Sequence, residues 1–193
     1  VLIENGLIAD IGAHLRRSAP RDAEIINCED RLVCPGLVDM LVHTGEPGLE
    51  HRETLASAGR AAAAGGVTTI VVSPATEPVI DDMALVDFLR RRARDTALVN
   101  VEVTAALTKG LAGLEMSEIG LLKAAGAVAF SNGRHSIASA KVMRRVLAYA
   151  KDFGALVMHA TEDDELADGG VINEGAVSSR LGLRGIPLEA EVT

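Results

Sequence analysis

The apolar positions change rhythm once along the chain. At the N-terminus, Val1-Leu2-Ile3 and Leu7-Ile8 form two short apolar runs on either side of Asn5-Gly6. Asn-Gly between apolar runs is the strongest short hairpin signal, because both residues tolerate the positive φ of a tight turn. Short β-type runs broken by Glu29-Asp30 continue from 23 to 34, so residues 1–35 are expected to form a small β module. From Leu37 onward the rhythm becomes strand, helix, strand, helix. Strands are expected at 37–43, 67–72, 98–105, 127–130 and 155–159. Helices are expected at 52–64, at 83–94 behind Asp81 or Asp82 as N-cap, at 117–125, and at 138–153. The last helix carries Val142, Val146 and Tyr149 on one face and Gly154 just past its end. The strand Val67-Thr68-Thr69-Ile70-Val71-Val72 is a β-branched run of the kind buried in parallel sheets.

About five βα units in a row predict an α/β fold with a parallel sheet and crossover helices. A dinucleotide-binding sheet calls for a glycine-rich phosphate turn after its first strand. The turn here is His43-Thr44-Gly45-Glu46-Pro47-Gly48, which has no such pattern. A (β/α)8 TIM-type barrel instead places its chemistry at the C-terminal ends of its strands. His43, Ser73, Ser131 and His159 all fall at such ends, and this favours the barrel. The expected organisation is residues 1–35 as a small β domain and residues 36–193 as the N-terminal portion of a barrel. The chain opens inside an apolar run without Met and stops in what reads as mid-helix, so it is expected to be a piece of a longer protein.

Composition narrows the possibilities. The 193 residues are 48% hydrophobic but only 2% aromatic, so the core must be aliphatic and alanine-rich. A net charge of -8 argues against nucleic acid and anionic membranes as partners. No run approaches the roughly 18 apolar residues of a membrane span, and no signal peptide opens the chain. The expected compartment is the cytoplasm, with Cys28 and Cys34 as free thiols.

Several segments then align with one family. Pro35-Gly36-Leu37-Val38-Asp39, Glu46-Pro47-Gly48, Glu53-Thr54 and Ala61-Ala62-Ala63-Ala64-Gly65-Gly66-Val67-Thr68-Thr69 resemble the dihydroorotase branch of the amidohydrolase superfamily. So do Ala125-Gly126-Ala127-Val128-Ala129-Phe130-Ser131, His159-Ala160-Thr161-Glu162-Asp163 and Gly170-Val171-Ile172-Asn173-Glu174-Gly175 followed by Leu181-Gly182-Leu183. The resemblance implies a metal-dependent (β/α)8 barrel with a small β-sandwich, of which the N-terminal module is one part. It implies zinc and the reversible hydrolysis of dihydroorotate, or a related cyclic amide, to carbamoyl aspartate in pyrimidine biosynthesis. It also implies a proton-shuttle aspartate on a later strand, expected beyond Thr193, and assembly into homo- or hetero-oligomers.

Position by position, the family's chemistry is depleted. The His-x-His metal pair at the end of the first barrel strand reads Leu41-Val42-His43. His-x-His works because residues two apart on a strand point the same way and share one metal. The arginine expected two residues later, which grips the substrate carboxylate, is Gly45. The asparagine that assists it is Ala75, in Ser73-Pro74-Ala75-Thr76. The acidic ligand position after the fourth strand reads Asn132-Gly133 in Phe130-Ser131-Asn132-Gly133-Arg134. A neutral amide is a poor replacement for a carboxylate on such a cation. Only His43 and His159 remain as candidate metal ligands, and no catalytic residue is visible.

The bland readings cover the other charged residues. His135 beside Arg134 could substitute as a ligand but reads as a solvated loop histidine, and His14 and His51 read as surface residues. Glu162-Asp163-Asp164-Glu165 reads as a helix start and Arg90-Arg91-Arg92 as a helix end. Gly65-Gly66 reads as a helix stop. Two functions follow from the resemblance: a dihydroorotase-type enzyme with impaired or lost turnover, or a non-catalytic homologue that scaffolds aspartate transcarbamoylase, as inactive members of this family do.

Overall fold

The computed structural model describes residues 1–192. The chain divides into two compact units, Val1–Pro35 and Gly36–Thr193. In the first, β1 (Leu2–Glu4) and β2 (Leu7–Asp10) pair antiparallel. Asn5 and Gly6 take φ values of 52° and 77° at the turn, as the hairpin signal required. A single helical turn, α1 (Leu15–Ser18), follows. The expected β runs between 23 and 34 are not strands. Backbone bonds there are local, Ala23 N–H to Pro20 and Arg31 N–H to Cys28. Ile25, Ile26, Leu32 and Val33 stay exposed, because a lone hairpin offers these residues no sheet to pack against. Cys28 and Cys34 are free thiols.

The second unit carries the βα rhythm. In chain order it contains β3 (Leu37–Val42), α2 (Leu55–Ala64), β4 (Val67–Val72), α3 (Met83–Thr96) and β5 (Asn100–Ala106). A short 3-10 turn at Lys109–Leu111 precedes α4 (Ile119–Ala124), β6 (Ala129–Ser131), α5 (Ala140–Asp152) and β7 (Leu156–Met158). The remainder is α6 (Asp164–Ala167), β8 (Ile172–Asn173), α7 (Ala176–Leu181), β9 (Gly185–Ile186) and α8 (Glu189–Val192). Strands β3 to β7 form one sheet, all parallel, in the order β3-β4-β5-β6-β7. A doubly wound sheet reverses strand order at a switch point, whereas a barrel adds strands in sequence. The sheet is a curled half-barrel.

Local chemistry explains the element ends. Thr54 and Ser57 form a capping box at α2. Asp82 caps α3 by accepting from Ala84 N–H at 2.7 Å, and Ser139 caps α5. Helix α2 begins later than the apolar pattern suggested, because Thr54 takes an extended conformation there. The core lies between the sheet and its helices. Val86 and Leu89 of α3, Leu122 of α4 and Val146 of α5 close over Ile70, Val72, Val103 and Phe130. Val142 and Tyr149 border this core half-buried, as the α5 stripe requires. No described helix is long and apolar enough to cross a membrane.

Candidate functional site

The loops at the C-terminal ends of β3, β4, β6 and β7 carry the positions singled out in the sequence. After β3 the chain folds back tightly. Gly45 N–H donates to Glu53 O at 2.9 Å and Leu49 N–H donates to Gly45 O at 2.5 Å. A Cβ at position 45 would sit 1.9 Å from Leu49 O, so the backbone leaves no room there for any side chain. Gly48 takes φ 94°, and a Cβ there would lie 1.6 Å from Glu77 O. This loop is clamped by Glu46, whose side chain is 3% exposed. Its Oε1 accepts from Arg92 Nε of α3 at 2.6 Å, and its Oε2 accepts from Leu55 N–H at the start of α2 at 2.8 Å. The Glu46 carboxylate holds the Arg92 guanidinium above its ordinary pKa.

At the β4 end, Ala75 presents a methyl group beside this loop and is exposed. At the β6 end, Asn132 is 1% exposed and fully committed. Its Oδ1 accepts from Thr108 Oγ1 at 2.6 Å, and its Nδ2 donates to Leu111 O at 3.0 Å. Thr108 Oγ1 also accepts from Gly113 N–H at 2.9 Å. Asn132 therefore ties the β5 loop to the β6 loop. At the β7 end, His159 Nε2 accepts from Ile137 N–H at 3.0 Å. That bond requires an unprotonated Nε2 and places the ring proton on Nδ1. Burial lowers the His159 pKa below its ordinary value of 6.5. Ser136 Oγ donates to Ala160 O at 2.9 Å, so the segment after β6 is laid across the end of β7.

The expected ligands do not converge. His43 lines a cavity of about 340 Å3 with Gly45, Arg52, Glu53, Arg134 and His135; Ala75 also borders it, but His159 does not. Among the described residues no three His, Cys, Asp or Glu side chains gather where a metal could sit. Leu41 is an exposed aliphatic side chain. Zinc needs three or four imidazole, thiolate or carboxylate donors. His43, Glu53 and His135 border the cavity without gathering into such a group, and His159 lies outside it with its Nε2 engaged, so the donors do not fit zinc. His135, read in the sequence as a solvated loop residue, is exposed but sits on the rim of this cavity. Arg52, Arg134 and the Glu46–Arg92 clamp were not singled out. Gly45 and Arg134 meet at one cavity only because the two loops are folded side by side. A larger cavity of about 380 Å3 lies near the start of β5, but barrel chemistry belongs at the opposite strand ends.

Sequential parallel strands, outer helices and a cavity at the strands' C-terminal ends define a protein of the TIM-barrel class. Residues 30–193 match the family model described as dihydro-orotase-like, and the chain belongs to that family. It is 44% identical over 191 residues to a dihydroorotase of Citrifermentans bemidjiense, covering 99% of this chain and 45% of that relative. It is 45% identical over 191 residues to a dihydroorotase of Pelobacter propionicus, with 99% and 45% covered. The chain thus spans less than half the length of these relatives. Its fold matches an L-hydantoinase (dihydropyrimidinase) of Arthrobacter aurescens with a TM-score of 0.61 at 22% identity, covering 70% of this chain and 31% of that one.

Proposed function

We propose that the chain is a dihydroorotase-type cyclic amidohydrolase homologue of pyrimidine biosynthesis, acting in the cytoplasm, in which turnover of dihydroorotate is impaired or lost. The family relationship supports the reaction class. The hydrogen-bonded state of Asn132 carries the loss. The residue at the acidic ligand position is a neutral amide with Oδ1 and Nδ2 both engaged in joining two loops, so it is a poor metal donor. His159 Nε2 is engaged as well, and neither Gly45 nor Ala75 supplies a grip on a substrate carboxylate. A metal would generate the hydroxide nucleophile in an active relative of this kind. In this chain His43 and His135 border the cavity, and His159 does not.

The test is turnover of dihydroorotate by the purified protein at its natural full length and by its Leu41→His variant, with zinc supplied. Neither protein should hydrolyse it above background. Substantial activity in the parent chain, or its appearance on this single change, would contradict the proposal.

A second reading is favoured by one contrast: the five parallel strands and their helices are formed, while among the described residues no three potential metal donors gather. A kept scaffold without its chemistry suits a non-catalytic partner of aspartate transcarbamoylase. Co-elution of the two purified proteins on gel filtration would support this reading, and independent elution would remove it.

A further inference from the structure

Two guanidinium groups border the cavity at the strands' C-terminal ends. Arg52 reaches it from the segment between β3 and α2, and Arg134 from the loop after β6. Among the described residues neither side chain has a hydrogen bond or an ion pair. Glu53 is the only acid lining this cavity. Its Oε1 accepts from Ser57 Oγ of the α2 capping box, which takes up part of its hydrogen-bonding capacity. Ala75 adds only a methyl group to the lining, whereas the space beside Gly45 is taken by Leu49 O. This concentration of positive charge occurs in a chain of net charge -8, whose overall field repels anions. Anion capture here must come from local contacts.

We propose that this cavity is a metal-independent binding site for a small oxyanion, a carboxylate or a phosphate, held between Arg52 and Arg134. Guanidinium forks present paired N–H donors that match both groups. His43 and His135 border the same space and can add N–H donors to the ligand. A volume of about 340 Å3 suits a compact ligand rather than an extended one. The inference rests on the reading that no metal supplies positive charge in this cavity.

The experiment is isothermal titration of the EDTA-treated chain with malonate and, separately, with orthophosphate. The parent chain is compared with Arg52→Gln, Arg134→Gln and Arg60→Gln. Arg60 is an exposed residue of α2 outside the cavity, and its variant loses the same unit of charge. Saturable one-site binding of either anion is expected, weakened roughly tenfold or more by Arg52→Gln and by Arg134→Gln but unchanged by Arg60→Gln. Malonate alone binding assigns a carboxylate ligand, and orthophosphate alone a phosphate. Both cavity arginines are exposed and unpartnered, so unchanged melting curves are expected for their variants. Absence of saturable binding, equal weakening by Arg60→Gln, or binding that appears only with zinc would overturn the inference. Zinc content of the same samples separately tests the metal-free reading.

Discussion

At the residue scale, Asn132 and His159 are both held by hydrogen bonds within the protein. Asn132 is both acceptor and donor inside the protein, a role that an acid cannot fill. In Asn132→Asp a carboxylate oxygen would replace the donor facing Leu111 O, setting two acceptors against each other in a buried place. The expected cost is about 2–3 kcal/mol of stability, with no gain in zinc affinity. Urea unfolding of the two proteins checks the first part. His159 predicts a pH effect. Its pKa is lowered by burial, and its Nε2 must be unprotonated to accept from Ile137. The unfolded state therefore takes up a proton before the folded state does. The His159 contribution is complete above pH 6.5 and is lost as pH falls from there through the lowered folded value. Imidazole NMR should give a His159 titration midpoint below 6.5, and His159→Gln should flatten the stability profile in that window.

At the element scale, the loop after β3 is held by neighbouring helices. Glu46 joins it to the start of α2 through Leu55 N–H and to α3 through Arg92. Glu46→Ala should lower stability by about 2 kcal/mol, since it strands a buried helix-start N–H and removes a charge-assisted bond. It should also raise hydrogen exchange at Gly45 and Leu49, whose N–H groups bond within the loop. Unchanged exchange there would mean that the loop is held by its glycines alone. The glycines do matter. The tight approach of Leu49 O explains why position 45 carries no side chain in this chain, and why putting an arginine back there would break the loop rather than restore a grip.

At the scale of the whole molecule, periodicity exposed the barrel strands because each is a short apolar run between polar turns. Val67–Val72 is matched residue for residue. Helix starts were less legible. The apolar pattern of α2 runs past the Thr54 cap, and capping is decided by backbone conformation rather than hydrophobicity. The β runs of 23–34 failed because apolar residues make a strand only where a partner strand exists, and β1 and β2 are the only strands of that unit. Motif order singled out Leu41, Gly45, Ala75 and Asn132, and of these the structure places Gly45 and Ala75 at one cavity. The hydrogen bonds of Asn132 were not legible, because Thr108 and Leu111 lie far from it in sequence. That Arg52 and Arg134 border one cavity was hidden for the same reason.

Loss of turnover depends on whether His43 and His159 make a metal site. The direct measurement is zinc bound per chain after equilibration with excess zinc and removal of free metal, for the parent protein and for His43→Ala. The expected result is far less than one zinc per chain in both, with no difference between them. One or more tightly held zinc ions per chain, lost on His43→Ala, would contradict it.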